Sequence, residues 1–152
     1  MIIKIATIDD LSVILALQKR AFYAEAERIG DTNIPPMTQT LSSITDDFNN
    51  GVILKAIQDN KIVGSVRGYV AEGTLYIGKV IVDPLYQRRG IGSALLRAVE
   101  AMYPKYRYEL FTGDRNAESL NLYLNNGYVE YKRERYSDTL NFIYLEKNCA
   151  KA

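Results

Sequence analysis

The sequence predicts an α/β domain built on one mixed sheet with helices on both of its faces. Three observations lead to this fold class. The chain begins with a strand-like segment and two amphipathic segments, continues with three strand-like segments, and then alternates helix and strand patterns before a final strand pair. No repeat, low-complexity tract or linker interrupts this order. We therefore expect a single domain over residues 1–152, with about seven strands that are mostly antiparallel.

The N-terminal elements are a short strand and two helices. Ile2–Ala6 has the β-branched residues of a strand, and Thr7 followed by acidic residues is typical of a helix start. The first helix carries an apolar stripe at spacings of three and four, made of Leu11, Ile14, Leu15, Ala21 and Phe22. Glycine and proline break the pattern over Ile29–Pro36. A second helix is expected over Thr38–Asn49, and Gly51 suits its C-terminal cap.

Three strands follow and form two consecutive hairpins. Val52–Gln58 and Lys61–Ala71 are rich in β-branched residues, and the Asp-Asn pair between them is a typical two-residue turn. A Glu-Gly pair then turns the chain into the third strand, Thr74–Val82.

The second half of the chain alternates helix and strand. Gly90–Tyr103 is the clearest amphipathic helix, and the proline that follows ends it. We expect a strand at Tyr106–Thr112 and a short helix at Asn116–Asn126, which a glycine terminates. The last two strands are expected at Tyr128–Tyr136 and Leu140–Glu146, joined as a hairpin.

Composition argues against several functions. A net charge of +1 disfavours nucleic-acid binding, which normally needs a strongly basic surface. The chain has no histidine, so a Ser-His-Asp triad is excluded and we expect no metal site. The one cysteine, Cys149, cannot form an intramolecular disulfide and is interpreted as an incidental thiol. No apolar stretch is long enough to cross a membrane and no signal-peptide pattern is present, so we expect a cytoplasmic protein without a membrane partner.

A basic loop with two glycines leads into the amphipathic helix. It places unpaired backbone N–H groups and positive charge at a helix N-terminus, which predicts a diphosphate ligand. A dinucleotide fingerprint is excluded because Leu95 stands where the third glycine is required, and the Walker pattern is absent. The alternative interpretation is that this loop only connects a strand to a helix and that its arginines are solvated. The loop and the helix start consist of Gln87, Arg88, Arg89, Gly90, Ile91, Gly92 and Ser93.

A second group of polar residues lies on the expected helix Asn116–Asn126. Ser119 and Tyr123 are four residues apart and share one face of that helix. Asn116 lies at the N-terminal end of the same face, as a cap or a ligand donor. An amide and a phenol would thus line one groove. The alternative interpretation is that Tyr123 only packs at the edge of the core, since it is one of 12 tyrosines in the chain.

These two segments resemble the motifs of the GNAT superfamily of acyl-CoA-dependent N-acetyltransferases. The loop matches the R/Q-x-x-G-x-G/A pyrophosphate pattern from Gln87 to Gly92. The segment from Asn116 to Tyr128 is similar to the pattern N-x-x-S/A-x-x-x-Y-x-x-x-G-F/Y. The element order fits too, so the resemblance covers nearly the whole chain. It implies a GNAT-like fold and an enzyme that moves an acetyl group from acetyl-CoA to a primary amine.

The resemblance also implies roles for individual residues. The amine attacks the thioester in a ternary complex, and Tyr123 stands where the family places the general acid that protonates the CoA thiolate. The strand end at residues 80–82 resembles the edge that binds pantetheine through its backbone, and core packing of its side chains is compatible with that role. The implied cofactor contacts are Val80, Ile81, Val82, Gln87, Arg88, Arg89, Gly90, Ile91, Gly92, Ser93, Asn116, Ser119 and Tyr123.

The general base stays unassigned. Phe111 and Tyr76 occupy the two positions where members of the family often carry a glutamate. Glu109 lies two residues before Phe111 on the same strand face, and Glu72 lies at a turn, but we interpret both as solvated surface acids. Water or a backbone carbonyl would then take the proton.

The acceptor is open between a small-molecule amine, which we favour, and a peptide amine. The polar segment Tyr23–Pro36 would wall the acceptor side in this architecture and its acids would attract a cationic amine, but we interpret it as a solvated loop. A non-catalytic acyl-CoA-binding module is the alternative function, since neither base position holds a carboxylate. The tyrosines of the C-terminal hairpin would line the opposite side or form a homodimer contact; they are Tyr128, Tyr131, Tyr136 and Tyr144.

Overall fold

The computed structural model describes residues 1–148 as a seven-stranded mixed sheet with helices on both faces, which confirms the predicted fold class. Cys149, interpreted above as an incidental thiol, lies outside the described residues. The strands are β1 (Ile2–Ile5), β2 (Val52–Gln58), β3 (Lys61–Ala71), β4 (Thr74–Val82), β5 (Arg107–Gly113), β6 (Val129–Arg135) and β7 (Asn141–Asn148). The helices are α1 (Leu11–Ile29), α2 (Pro35–Thr38), α3 (Leu41–Asn50), α4 (Ile91–Met102) and α5 (Ala117–Asn125).

The sheet is antiparallel except at its centre. Its strand order is β1-β2-β3-β4-β5-β7-β6. The parallel strands β4 and β5 pair only over Thr74–Tyr76 against Arg107–Glu109. Beyond that point β4 continues to pair with β3, and β5 with β7, but no ladder joins β4 to β5 within residues 1–148. The sheet therefore opens between the C-terminal halves of these two strands.

A β-bulge lies in β4 just beyond the last residue that pairs with β5. Ser65 of β3 pairs with Ile81 of β4, and Arg67 pairs with Gly78. Between these two pairs β3 has the three residues Ser65–Arg67, whereas β4 has the four residues Gly78–Ile81. Lys79 lies in the bulge with a φ of 52°, a left-handed conformation that is uncommon for a residue with a side chain. Bulges change the direction of side chains and are over-represented beside active sites.

Each face of the sheet has its own core. Neighbouring residues of a strand point to opposite faces, and in β2 Leu54 belongs to one core and Ile53 to the other. The larger core lies under α4 and α5, and the smaller one lies under α1 and α3. Val80 and Ile81 divide in the same way, so the end of β4 is packed on both faces.

The segment expected to be a loop between the first two helices is largely helical. α1 continues to Ile29 and ends at Gly30, whose φ of 76° provides a left-handed C-cap. The prolines expected to break the chain instead begin the short helix α2. α3 begins later than expected because Thr40 caps it, accepting the N–H of Ser43 at 3.1 Å. None of the helices in the described part of the chain combines the length and the apolar character needed to span a membrane.

A buried arginine ties α1, α3 and β3 together. Arg67 is only 5% exposed. Its Nη2 donates to Gln18 Oε1 at 2.8 Å, and its Nη1 donates to Gln39 Oε1 and to Asp47 Oδ2, each at 3.0 Å. Burial lowers the pKa of Arg67, and the charge of Asp47 opposes this effect. A buried guanidinium costs several kcal/mol unless it is paired, so this network holds the helices in place.

We expect Asp47→Asn to destabilise the fold because it removes the charge that compensates Arg67. Asp47 is 39% exposed and water supplies part of the compensation, so the free energy of unfolding should fall by about 1–3 kcal/mol, several degrees in Tm. Thermal unfolding measures the effect. The exposed neighbour provides the control: Asp46→Asn should change stability by less than about 0.5 kcal/mol. Equal melting temperatures of the two variants would contradict the role of this ion pair.

Candidate active site

A cleft of about 560 Å³ lies where β4 and β5 separate. It is lined by α1, the end of β4, the loop that follows β4, the N-terminal end of α4, and α5. All the residues predicted from the sequence line this cleft except Arg89 and Tyr123. The two sequence motifs therefore meet at one place. The predicted residues that line it are Val80, Ile81, Val82, Gln87, Arg88, Gly90, Ile91, Gly92, Ser93, Asn116 and Ser119.

The N-terminus of α4 opens into the cleft. Gly90 is its N-cap with a φ of 80°, and no side chain caps the first turn. An uncapped helix N-terminus offers its first N–H groups to an anion, and the helix dipole favours negative charge there. The exposed Arg88 adds a full positive charge beside it. Gly92 also has a packing role, because a Cβ on it would lie 3.1 Å from Leu122 Cδ2 of α5.

Arg89 is oriented differently from the prediction. Its guanidinium carbon lies 5.0 Å from the centre of the Tyr86 ring, and it does not line the cleft. Tyr86 is itself held in place, since its hydroxyl donates to Asp59 at 3.0 Å. The structure thus gives Arg89 a cation–π contact and leaves Arg88 as the arginine of this loop that lines the cleft.

The end of β4 presents an open backbone edge to the cleft. Val80 and Ile81 are buried in opposite cores, and Val82 is half-buried. One edge of this segment pairs with β3, and on its other side lies the gap to β5. The side chains therefore pack as core residues while one row of backbone groups is left for an extended ligand that adds along the strand.

Asn116 connects α5 to α1. Its Oδ1 accepts the N–H of Ser119 at 3.0 Å and so caps α5. Its Nδ2 donates to Glu25 Oε1 at 3.1 Å. Both functional groups of this amide are engaged within the protein, which matches the interpretation of Asn116 as a cap.

Tyr123 lies in the larger core rather than in the wall of the cleft. It is 4% exposed, and its ring centre is 6.2 Å from that of Tyr128. Burial raises the pKa of Tyr123 well above its usual range, the charge of Glu25 adds to this, and a hydrogen bond with Ser119 partly opposes it. The phenol is therefore protonated at neutral pH, beside two residues that line the cleft.

Glu25 lines the cleft although its segment is expected to be a solvated loop. The extension of α1 buries it to 5% exposure, where it accepts the hydrogen bond from Asn116. Burial raises the pKa of Glu25, while the bond from Asn116 and the charge of Arg28 oppose this. Glu25 follows Phe22 by three residues and precedes Ile29 by four, which is the spacing of one helix face. That spacing is the signal in the sequence that points to it.

A second cavity, of about 400 Å³, lies beside the other half of β4, and we call it the aromatic pocket. Glu109 lines it and is not the solvated acid that was expected. Its side chain is 13% exposed and accepts from Arg107 at 2.8 Å, because β7 and β4 cover this part of β5. Glu72 is exposed at its turn, as expected. The aromatic residues that line the pocket are Tyr69, Tyr76, Phe111 and Tyr144.

The tyrosines of the C-terminal hairpin lie in different environments. Tyr128 is buried and donates to Glu100 Oε2 at 2.7 Å, so it is a core residue and neither an acceptor wall nor a surface contact. Tyr144 lines the aromatic pocket. Tyr131 and Tyr136 are partly exposed on the same hairpin.

Comparison with known proteins identifies a family for the chain. The model of the acetyltransferase (GNAT) family matches residues 13–128, a range that contains every residue of the cleft. No curated protein matches the chain by its sequence.

Solved structures share the fold at low sequence identity. The ribosomal-protein-S18-alanine N-acetyltransferase of Escherichia coli is 20% identical, with a TM-score of 0.81 over 99% of this chain and 95% of that one. The PaiA N-acetyltransferase of Thermoplasma acidophilum, solved in complex with coenzyme A, is 18% identical, with a TM-score of 0.76 over 97% of this chain and 99% of that one. A GNAT family acetyltransferase of Elizabethkingia anophelis, solved with acetyl-CoA bound, is 20% identical, with a TM-score of 0.61 over 72% of this chain and 83% of that one.

We expect Glu25→Gln to remove a pH-dependent loss of stability. Because the pKa of Glu25 is raised in the folded state, the contribution of this group to stability is greatest below the ordinary glutamate pKa of about 4.3 and is lost as the pH rises through the folded value. The variant cannot ionise, and its amide oxygen still accepts from Asn116. Its Tm relative to the wild type should therefore increase from pH 4 to pH 8.

Thermal unfolding across this pH range is the measurement, with Glu27→Gln as the control. Glu27 is exposed two residues further along the same helix. If both variants follow the pH dependence of the wild type, the carboxyl group of Glu25 is solvated and the assignment of a buried charge is wrong.

Proposed function

The chain belongs to the GNAT acetyltransferase family, and we propose that it transfers an acetyl group from acetyl-CoA to a primary amine. The observation that carries the proposal is the cleft in which the open edge of β4 meets the uncapped N-terminus of α4. A diphosphate linked to an extended amide chain has the two features that such a cleft complements. Coenzyme A or acetyl-CoA is present in two of the solved proteins that share this fold, which supports the same cofactor here.

In this proposal the cofactor binds to both parts of the cleft. Its diphosphate accepts hydrogen bonds from the first N–H groups of α4, at residues 91–93, and pairs with Arg88. The pantetheine arm extends along residues 80–82 and pairs with their free backbone groups. A backbone N–H at this strand end polarises the thioester oxygen.

The reaction is a direct transfer within a ternary complex. The amine nitrogen attacks the thioester carbon, the C–N bond forms, and the C–S bond breaks as the tetrahedral intermediate collapses. The CoA thiolate then takes a proton, and we assign its donor as Tyr123. The raised pKa of Tyr123 keeps the proton on the phenol at neutral pH, and Ser119 links this residue to the cleft.

The proton lost by the amine needs an acceptor, and Glu25 is our candidate. It lines the cleft, and its raised pKa makes it a stronger base than an ordinary glutamate. Glu109 is a weaker candidate because its carboxylate is occupied by Arg107 at 2.8 Å. Glu72 is exposed at a turn and does not line the cleft.

A second candidate function is a non-catalytic acyl-CoA-binding module. The burial of Tyr123, which does not itself line the cleft, favours this alternative. Both functions share the cofactor site and differ in turnover.

We expect acetyl-CoA and CoA to raise the melting temperature, and ATP to leave it unchanged. At a ligand concentration one hundred times the Kd, binding adds about 2.7 kcal/mol to the free energy of unfolding, several degrees in Tm for a chain of this size.

Arg88→Glu should weaken binding of both CoA species about tenfold or more, because it places repulsive charge at the diphosphate. Arg97→Glu, exposed on α4 outside the cleft, is the matched control.

Thermal unfolding with each ligand tests the cofactor site directly. A chain that no CoA species stabilises does not have the proposed site. Equal affinities of the two arginine variants would place the diphosphate elsewhere.

We expect Tyr123→Phe to lower turnover by about 10²–10⁴-fold with little change in CoA affinity, because the ring remains and the proton donor is lost. A steady-state assay of CoA release, with any amine that the wild type acetylates, measures this. Tyr128→Phe is the control: it removes another buried hydroxyl, which donates to Glu100, and should lower Tm while turnover is kept. Equal turnover of Tyr123→Phe and the wild type would assign the proton to another donor. Absence of turnover in the wild type across a broad amine panel would favour the binding module.

A further inference from the structure

The aromatic pocket lies next to the proposed site of acetyl transfer. Residues 76–79 of β4 line the pocket, and residues 80–82 of the same strand line the cleft. Lys79 and Val80 are consecutive, so their Cα atoms are about 3.8 Å apart. A molecule bound in the aromatic pocket therefore lies beside the strand end at which the thioester is proposed to bind.

One cation in the pocket has no direct partner among the residues that the structure describes. Of the charged residues that line it, Asp47 pairs with Arg67 at 3.0 Å, and Glu109 pairs with Arg107 at 2.8 Å. Lys79 also lines the pocket, but its ammonium makes no hydrogen bond or ion pair with any residue in the range 1–148. Burial and the charge of Arg67 lower the pKa of Lys79, and Asp47 partly opposes them. The pocket thus holds a poorly solvated cation that an anionic group would stabilise.

The remaining walls are aromatic. The rings of Tyr69 and Tyr76 are stacked with their centres 5.2 Å apart, and those of Phe111 and Tyr144 are also 5.2 Å apart. Phe111 is 47% exposed, a large apolar surface that a ligand would cover. An ion pair formed between such walls is stronger than one in open water. The volume of about 400 Å³ is that of a small-molecule site.

We propose that the aromatic pocket binds an acceptor amine that also carries a carboxylate and an apolar group, and that Lys79 pairs with the carboxylate. The inference rests on the proposed acetyl transfer and adds the chemical class of the acceptor. The apolar group lies against the aromatic rings, and the amine is directed to the strand end at Val80. Glu109 and Asp47 do not anchor the amine, because each already pairs with an arginine.

Matched acceptors with and without the carboxylate test this proposal. L-Phenylalanine, L-leucine and γ-aminobutyrate are compared with their carboxamides, which keep the shape and lose the charge. The wild type should acetylate at least one of the acids with a kcat/KM about tenfold or more above that of its amide. Lys79→Met should lower kcat/KM for that acid by about 10- to 100-fold, the effect of losing a charged hydrogen bond, and leave the amide unchanged.

The variants also distinguish a direct contact from a structural effect. Methionine and lysine both carry a Cβ, so the left-handed backbone at this position is equally strained in each. Lys79→Arg should recover part of the activity on the acid, and Lys4→Met, exposed on β1, should change nothing. The affinity for acetyl-CoA, measured by thermal unfolding, should be the same in every variant.

Three results would overturn the acceptor class and leave the cofactor site intact. One is stabilisation by acetyl-CoA with no acetylation of any acid in the panel. The second is an equal effect of Lys79→Met on acids and amides. The third is an acetyl group on Lys79 itself, located by mass spectrometry of its proteolytic peptides. Loss of acetyl-CoA binding in the wild type would instead contradict the proposed function as a whole.

Discussion

The separation of β4 from β5 is the constraint on which the functional part of the molecule depends. Inside a sheet, backbone N–H and C=O groups are normally paired, because an unpaired buried group costs free energy. Here the ladder ends after Tyr76 and Glu109, and the end of β4 keeps one row of backbone groups without a strand partner. The bulge at Lys79 follows directly. A cleft and a pocket then form beside the two halves of the same strand.

Helix packing keeps this opening in shape. The Arg67 network fixes α1 and α3 to β3 beside the aromatic pocket. The hydrogen bond from Asn116 to Glu25 joins α5 to α1 across the cleft. Each contact uses a side chain that is costly to bury alone, so each constrains the position of two elements rather than one. The glycine at position 92 allows α4 and α5 to pack closely at the same end.

The strands, the amphipathic helices and the motif residues follow from sequence because their signals are local. The hydrophobic period identifies α4, and turn residues delimit β2 and β3. The sequence does not predict that α1 continues beyond Phe22, because the polar residues after Phe22 are also compatible with a loop. The burial of Glu25 is therefore not predicted either. Glu25 and its partner Asn116 are 91 positions apart in the chain, and Arg67 and its partner Gln18 are 49 apart. Such pairings depend on tertiary packing. Arg89 contacts Tyr86, which is only three positions away, but the Tyr86 hydroxyl is held by Asp59, 27 positions away, and this distant contact does not follow from the sequence.

The bulge divides one strand between two kinds of recognition. On one side the proposed cofactor meets backbone atoms, which almost any sequence can supply. On the other side the proposed acceptor would meet side chains, among them Lys79 and Phe111. Substitutions in the aromatic pocket can then change the acceptor without disturbing the donor site, because the peptide groups of residues 80–82 stay the same. A scaffold of this kind can diversify its substrates during evolution while its cofactor remains constant, and the six residues from Tyr76 to Ile81 contain the boundary.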